Sequence, residues 1–144
     1  MSISLDNIEL SEEQKIFYKL INEEGINAFI TGRAGTGKSL LLKYFVENSS
    51  KNTAVVAPTG VAAINIGGQT IHSLFKLPPE LQDFNKIQVD FRTKELLKNL
   101  DTLVIDEISM VRADLIEAMN IKLQLAKGSG LPFGGVQIVM FGDL

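Results

Sequence analysis

Ile30-Thr31-Gly32-Arg33-Ala34-Gly35-Thr36-Gly37-Lys38-Ser39 is the stretch on which the reading of this chain turns. From Gly32 onward it fits G-x-x-x-x-G-K-[ST], a phosphate-binding loop. Its flanks fit too. Residues 26–31 are apolar and β-prone and read as a buried strand. Residues 39–46 carry Leu40, Leu41, Leu42, Phe45 and Val46 and read as a helix. Glycines let the backbone come close to a ligand. The N–H groups of such a loop point inward at phosphate oxygens, helped by the positive end of the helix that follows. The expected nucleotide-binding set is therefore Gly32, Gly35, Thr36, Gly37, Lys38, Ser39 and Leu40. Lys38 supplies charge to the β- and γ-phosphates, and Ser39 supplies a hydroxyl to Mg²⁺.

Composition narrows the chemistry. The 144 residues suffice for one domain with a proper core. A net charge of −3 rules out a globally basic nucleic-acid binder, so any such contact must be local. With no cysteine and one histidine, disulfides, thiolate catalysis and multi-histidine metal sites are excluded. The first ten residues lack the basic and apolar regions of a signal peptide, and no apolar run approaches a membrane span. The expected compartment is the cytoplasm, or the nucleus or an organelle matrix in a eukaryote.

Outward from the loop, apolar runs alternate with helical patterns. Ile16, Phe17, Leu20 and Ile21 predict one face of a helix, with Ser11 and Gln14 as its capping box and Gly25 as its end. Thr53–Ala57 reads as a second strand, stopped by Pro58-Thr59-Gly60. Residues 61–66 and 70–75 read as short helices broken by Gly67-Gly68, and the stretch from Pro78 to about Phe91 as an exposed loop. A short helix over 93–99 precedes a third strand, Thr102–Ile105, which ends in Asp106-Glu107. Asp114 is expected to cap a helix with Leu115, Ile116, Met119 and Leu123 inward. Residues 128–135 read as a loop. A fourth strand over 136–141 ends in Gly142-Asp143. Strands that are continuous apolar runs between helices predict an α/β fold, a parallel sheet covered on both faces. Its ligand site belongs at the carboxyl ends of the strands, where all these polar residues fall.

Asp106 is expected to hold Mg²⁺ through water, and Glu107 to orient or deprotonate an attacking water. An acidic pair here favours hydrolysis over transfer to a small substrate. Gln14 has two readings from the residues alone: the third position of a capping box, which the local sequence favours, or an amide reading adenine with its donor and acceptor. Thr59, Gly60, Thr70 and Ser73 suit phosphate contacts or turns and caps alike. His72, beside Ile71 and Leu74, suits a half-buried structural position.

The stretch Ala57-Pro58-Thr59-Gly60-Val61-Ala62-Ala63-Ile64-Asn65-Ile66-Gly67-Gly68-Gln69-Thr70-Ile71-His72-Ser73 resembles motif Ia of the petite-integration-frequency (PIF-type) DNA helicases. These are superfamily 1 enzymes of the branch moving 5′ to 3′ on single-stranded DNA. Ile105-Asp106-Glu107-Ile108-Ser109-Met110 resembles their motif II. Pro132-Phe133-Gly134-Gly135-Val136-Gln137 and Phe141-Gly142-Asp143 resemble the approach to motif III, and residues 10–14 the adenine-reading Q motif. The resemblance implies that Gln14 reads adenine, that Lys38 and Ser39 bind the phosphates and Mg²⁺ of ATP, and that Asp106 and Glu107 serve metal and water. It sets Thr59, Gly60, Thr70 and His72 along a single-stranded DNA path. It implies that residues 1–144 are a truncated RecA-like P-loop domain, the first of two motor domains. The second carries an arginine finger, and without it the first is expected to be inactive. Roles in repair, recombination and telomere maintenance go with such helicases. A loader or switch ATPase, a RecD-like or relaxase helicase, or a nucleotide-binding module without turnover shares the phosphate loop.

Overall fold

The computed structural model describes residues 12–23, 25–31, 38–49 and 51–142, the side chains of residues 13, 17, 38, 39 and 40 excepted. In chain order the elements are α1 (Glu12–Asn22), β1 (Ala28–Thr31), α2 (Lys38–Asn48), β2 (Thr53–Ala57), α3 (Gly60–Asn65), β3 (Gln69–Thr70) and α4 (Ile71–Phe75). They continue with α5 (Phe91–Lys98), β4 (Thr102–Ile105), α6 (Ala113–Lys127) and β5 (Gln137–Gly142). The strands form one sheet in the order β1-β5-β4-β2-β3, every neighbouring pair parallel. This is the expected RecA-like α/β architecture.

Strand β4 shows why the apolar runs are continuous. All four of its residues are buried. Leu103 and Ile105 pack on one side with Leu97, Leu115, Met119 and Leu123, from α5 and α6. Val104 packs on the other with Ile21, Leu42 and Phe45, from α1 and α2. Side chains alternate across a strand, so only a sheet covered on both faces keeps every position apolar. Each such side chain contributes roughly 1.5–3 kcal/mol by leaving water.

Four departures from the sequence-based expectations have physical causes. First, a fifth strand exists: Gln69–Thr70 pairs with Val56 and Ala57. The chain reaches this edge because residue 68 is glycine, where a Cβ would lie 2.3 Å from the Val55 carbonyl oxygen. Second, Ile16 is 60% exposed, and among the described side chains of α1 it is Tyr18 and Ile21 that pack inward, that of Phe17 lying outside them. Tyr18 meets Tyr44 and Phe45 edge-on at ring distances of 5.0 and 6.3 Å. Third, Asp114 does not cap α6. Arg112 holds the N-cap position without a side-chain bond, and the Asp114 carboxylate instead accepts the Gln82 N–H at 3.0 Å. Fourth, the inner face of α6 includes Lys122, 6% exposed, whose Nζ donates to the Lys76 carbonyl at the end of α4. Burial pushes that ammonium below the usual lysine range, and Asp90 partly offsets this. The expected loop after Pro78 is irregular, with a 3-10 turn at Phe84–Lys86. The predicted capping box at Ser11 lies outside the described residues.

Candidate functional site

The parallel register brings the candidate residues to one edge. Thr31 pairs with Gly142, Ile105 with Met140, Val56 with Ile105, and Ala57 with Thr70. At the end of β5, Gly142 lies against Ile108, in the turn that Glu107 opens. Continued one residue past Val56, the parallel register sets Asp106 level with Ala57. The ends of β1, β5, β4, β2 and β3 thus form a row, with Asp106-Glu107 in the middle. Neighbouring strands lie about 4.8 Å apart, so the β1 and β4 ends, separated by β5, stand about 10 Å from each other.

Asp106 is the buried member of the acidic pair, 3% exposed, and its N–H extends the ladder to the Val56 carbonyl at 2.8 Å. Glu107 is half-buried and left-handed, φ 54° and ψ 42°. That conformation is uncommon for a residue with a Cβ, and it turns the chain straight into the 3-10 turn Ile108–Met110. The Glu107 carbonyl accepts the Met110 N–H at 3.0 Å. Across the row, Gly142 is the partner of this turn: a Cβ there would lie 2.8 Å from Ile108 Cγ2. A larger residue at the end of β5 would push the turn, and Glu107 with it, away from the sheet.

On the β1 side, β1 ends at an exposed Thr31, and α2 begins at Lys38. Gly32, Gly35, Thr36 and Gly37 lie outside the described residues, as do Asp143 and the side chains of Lys38, Ser39 and Leu40. Gln14 sits in the first turn of α1, which packs on α2 through Tyr18. Helices α1 and α2 thus cover one face of the sheet together, over Ile30, Val104, Val139 and Phe141. Among the described residues no three His, Asp or Glu side chains converge as a metal cage.

On the β2 side lie Thr59, Gly60, Thr70 and His72. Thr59 caps α3, its Oγ1 accepting the Ala62 N–H at 3.2 Å. Thr70 caps α4, accepting the Ser73 N–H at 3.1 Å. Both are caps, as one of the two sequence readings had it. An accepting hydroxyl still has its own hydrogen to donate, so the cap role leaves room for a phosphate. Gly60 is exposed, and His72 is half-buried; among the described residues its Nε2 is buried without a hydrogen-bond partner. These residues stand together at the β2 and β3 ends of the sheet.

One polar cluster escaped the sequence reading. Gln137, 7% exposed, opens β5 at the opposite edge of the sheet. Its Nε2 donates to the Ile21 and Ile26 carbonyls, both at 2.8 Å. Its Oε1 accepts from Thr102 Oγ1 at 2.8 Å and Lys51 Nζ at 2.9 Å. The available signal was a glutamine leading an otherwise apolar strand.

Known proteins resemble this chain in sequence and fold. The family model of the PIF1-like helicases matches residues 9–144. The ATP-dependent DNA helicase PIF1 of Saccharomyces cerevisiae is 41% identical over 93% of this chain and 16% of its own length. Pif1 of Bdellovibrio bacteriovorus is 36% identical over 94% of this chain and 32% of its own. The solved Bacteroides Pif1 in complex with ADP-AlF3 and ssDNA superposes with a TM-score of 0.86 at 46% identity, covering 96% of this chain and 33% of that one. DnaA from Aquifex aeolicus, at 16% identity and a TM-score of 0.51, shares the fold alone. The chain thus spans between about a sixth and a third of the length of these helicase relatives.

Proposed function

The chain belongs to the PIF1-like helicase family, and from that membership we propose that residues 1–144 are the first, ATP-binding motor domain of a DNA helicase. The whole protein moves along single-stranded DNA and couples ATP hydrolysis to duplex unwinding. The observation that carries the reading is the row of strand ends. A triphosphate approached from the β1 side and a DNA backbone from the β2 side would flank one acidic pair. A Bacteroides relative solved with ADP-AlF3 and ssDNA supports both ligands.

The roles follow from position. Lys38, at the start of α2, neutralises the β- and γ-phosphates, and the loop N–H groups of Gly32, Gly35, Thr36, Gly37 and Leu40 hold them. Mg²⁺ binds through one or two carboxylates plus water and phosphate oxygens rather than an all-protein cage. The buried Asp106 and the Ser39 hydroxyl fit that pattern, and the ion supplies charge for the developing transition state. Glu107 orients the attacking water. Gln14 reads the adenine edge. The hydroxyls of Thr59 and Thr70, the Gly60 backbone and His72 contact the DNA backbone, which carries no sequence information.

Two variants test this. Lys38→Ala should lose Mg·ATP binding, measured by titration calorimetry, with its circular dichroism unchanged. Glu107→Gln, in the full-length helicase, should keep ATP binding and lose turnover by roughly a hundredfold or more. Normal ATP affinity in Lys38→Ala, or parallel loss of binding and turnover in Glu107→Gln, would overturn the assignment.

A further inference from the structure

Gln137 lies at the edge of the sheet away from the nucleotide, yet it ties down the helix that carries Gln14. All four hydrogen-bonding positions of its amide are used: two N–H groups on the Ile21 and Ile26 carbonyls, and its oxygen on Thr102 and Lys51. Lys51 Nζ adds a second bond to the same Ile21 carbonyl, at 3.0 Å. That carbonyl belongs to the last turn of α1, where carbonyls have no helical partner. Two side chains thus hold the end of α1 against β5.

The two elements joined by this clamp differ in what else fixes them. Strand β1 pairs along its whole length with β5, from Ala28 with Val139 to Thr31 with Gly142. The Asn27 side chain also accepts the Ile138 N–H at 2.9 Å. Helix α1 has no ladder. Its described packing is Tyr18 on Tyr44 and Phe45, and Ile21 in the core, while Ile16 stands in solvent. Gln14 is seven residues before Ile21, about 10 Å along the axis. A small rotation or slide at the clamped end is therefore carried to Gln14, while the end of β1 at Thr31 is held by its own ladder.

We propose that Gln137, assisted by Lys51, is a positioning residue for base selection: it sets the height and rotation of α1 so that Gln14 meets the adenine edge. This rests on the reading of Gln14 as the adenine contact. Loss of the clamp should relax the choice between ATP and GTP and leave affinity for the phosphates nearly intact.

The test measures dissociation constants of the 144-residue chain for fluorescent ATP and GTP analogues and for tripolyphosphate, all with Mg²⁺. Gln14→Ala should bring the ATP preference down by roughly threefold to tenfold, the scale of one hydrogen bond. Gln137→Leu should bring it down by a similar factor, with tripolyphosphate affinity within about twofold of the parent, since β1 keeps its ladder. Gln137→Glu keeps the volume and the acceptor oxygen but loses both donors. It should behave as Gln137→Leu does, and it carries the test if the leucine variant does not fold. Lys51→Met, which removes only one of the two donors on Ile21, should lower the preference less. Thr102→Val removes a buried bond to Gln137 that does not reach α1. It should lower the melting temperature and leave the preference unchanged, which separates positioning from mere stability. If Gln14→Ala leaves the preference intact, or the parent chain has none, the adenine reading is overturned and this inference falls with it. If Gln14→Ala lowers the preference but Gln137→Glu does not, or Thr102→Val lowers it equally, the inference about Gln137 alone is overturned.

Discussion

The left-handed backbone of Glu107 makes a prediction about stability that runs opposite to the catalytic role proposed for its side chain. At φ 54° and ψ 42° a side chain with a Cβ crowds its own carbonyl, at a cost of roughly 1–2 kcal/mol. Glycine takes this conformation freely, but it gains about 0.5–1 kcal/mol more chain entropy on unfolding. The comparison that isolates the backbone is Glu107→Gly against Glu107→Ala. Both remove the carboxylate and whatever it contacts, and only alanine keeps the strain. The difference leaves glycine more stable by about 0.5–1 kcal/mol, or a melting temperature higher by about 1–4 °C at this chain length. Scanning calorimetry on the two variants reads this directly. Both lack the carboxylate to which we assign the orienting of water, so on that proposal neither should support ATP turnover in the full-length protein. A glycine variant no more stable than the alanine variant would mean that residue 107 is unstrained, and that the turn does not depend on the fold to hold it. Glutamate at so unfavourable a position fits the general finding that strain is stored where function needs a group aimed in one direction.

Other variants probe the rest of the site and its support. Thr59→Ala with His72→Ala should weaken single-strand binding irrespective of sequence, by about 1 kcal/mol per lost contact; Thr59→Ser, which keeps both cap and hydroxyl, should bind normally, and unchanged anisotropy titrations in the double variant would return both residues to a purely structural role. Gly134→Ala should cost about 1–3 kcal/mol in urea unfolding, because residue 134 has φ +64° and a Cβ there would lie 2.6 Å from the Leu123 carbonyl oxygen; a neutral result would mean that the turn over α6 shifts without penalty. The Gln82 N–H, with the Arg112 guanidinium adding to it, holds the Asp114 carboxyl below the usual carboxylate range. Its folded value is depressed, so its stabilisation is present above about pH 4 and is lost as the pH falls through the folded value. Between pH 6 and 3 the melting temperature of Asp114→Asn should therefore fall less steeply than that of the parent, and equal slopes would refute the link.

What the sequence disclosed, and what it withheld, follows the range of the interactions. Thr53–Ala57 and Thr102–Ile105 were legible to the residue because each is a short apolar run with a plain stop: Pro58, which has no N–H, follows the one, and the acidic pair Asp106-Glu107 follows the other. Strand β3 was not, since two polar residues carry no period, and the edge exists only because Gly68 meets Val55 from the far side of α3. The order of strands was hidden as well. Alternation of strand and helix gives a parallel sheet, but not that the last strand inserts between the first and the fourth. That insertion is what matters for the site. It leaves the width of one strand between the end of β1 and the acidic pair, and it fills that width with Gly142, whose missing side chain admits Ile108 and hence fixes the turn that aims Glu107. The catalytic-looking residues are readable singly, whereas the spacing between them depends on a glycine 35 positions further along the chain. Gln137 is the extreme case: its partners lie 35, 86, 111 and 116 residues away. A side chain that works only through such distant partners looks in one dimension like the frayed start of a strand. Its importance becomes visible only when the sheet has brought Thr102, Lys51 and the end of α1 to the same place.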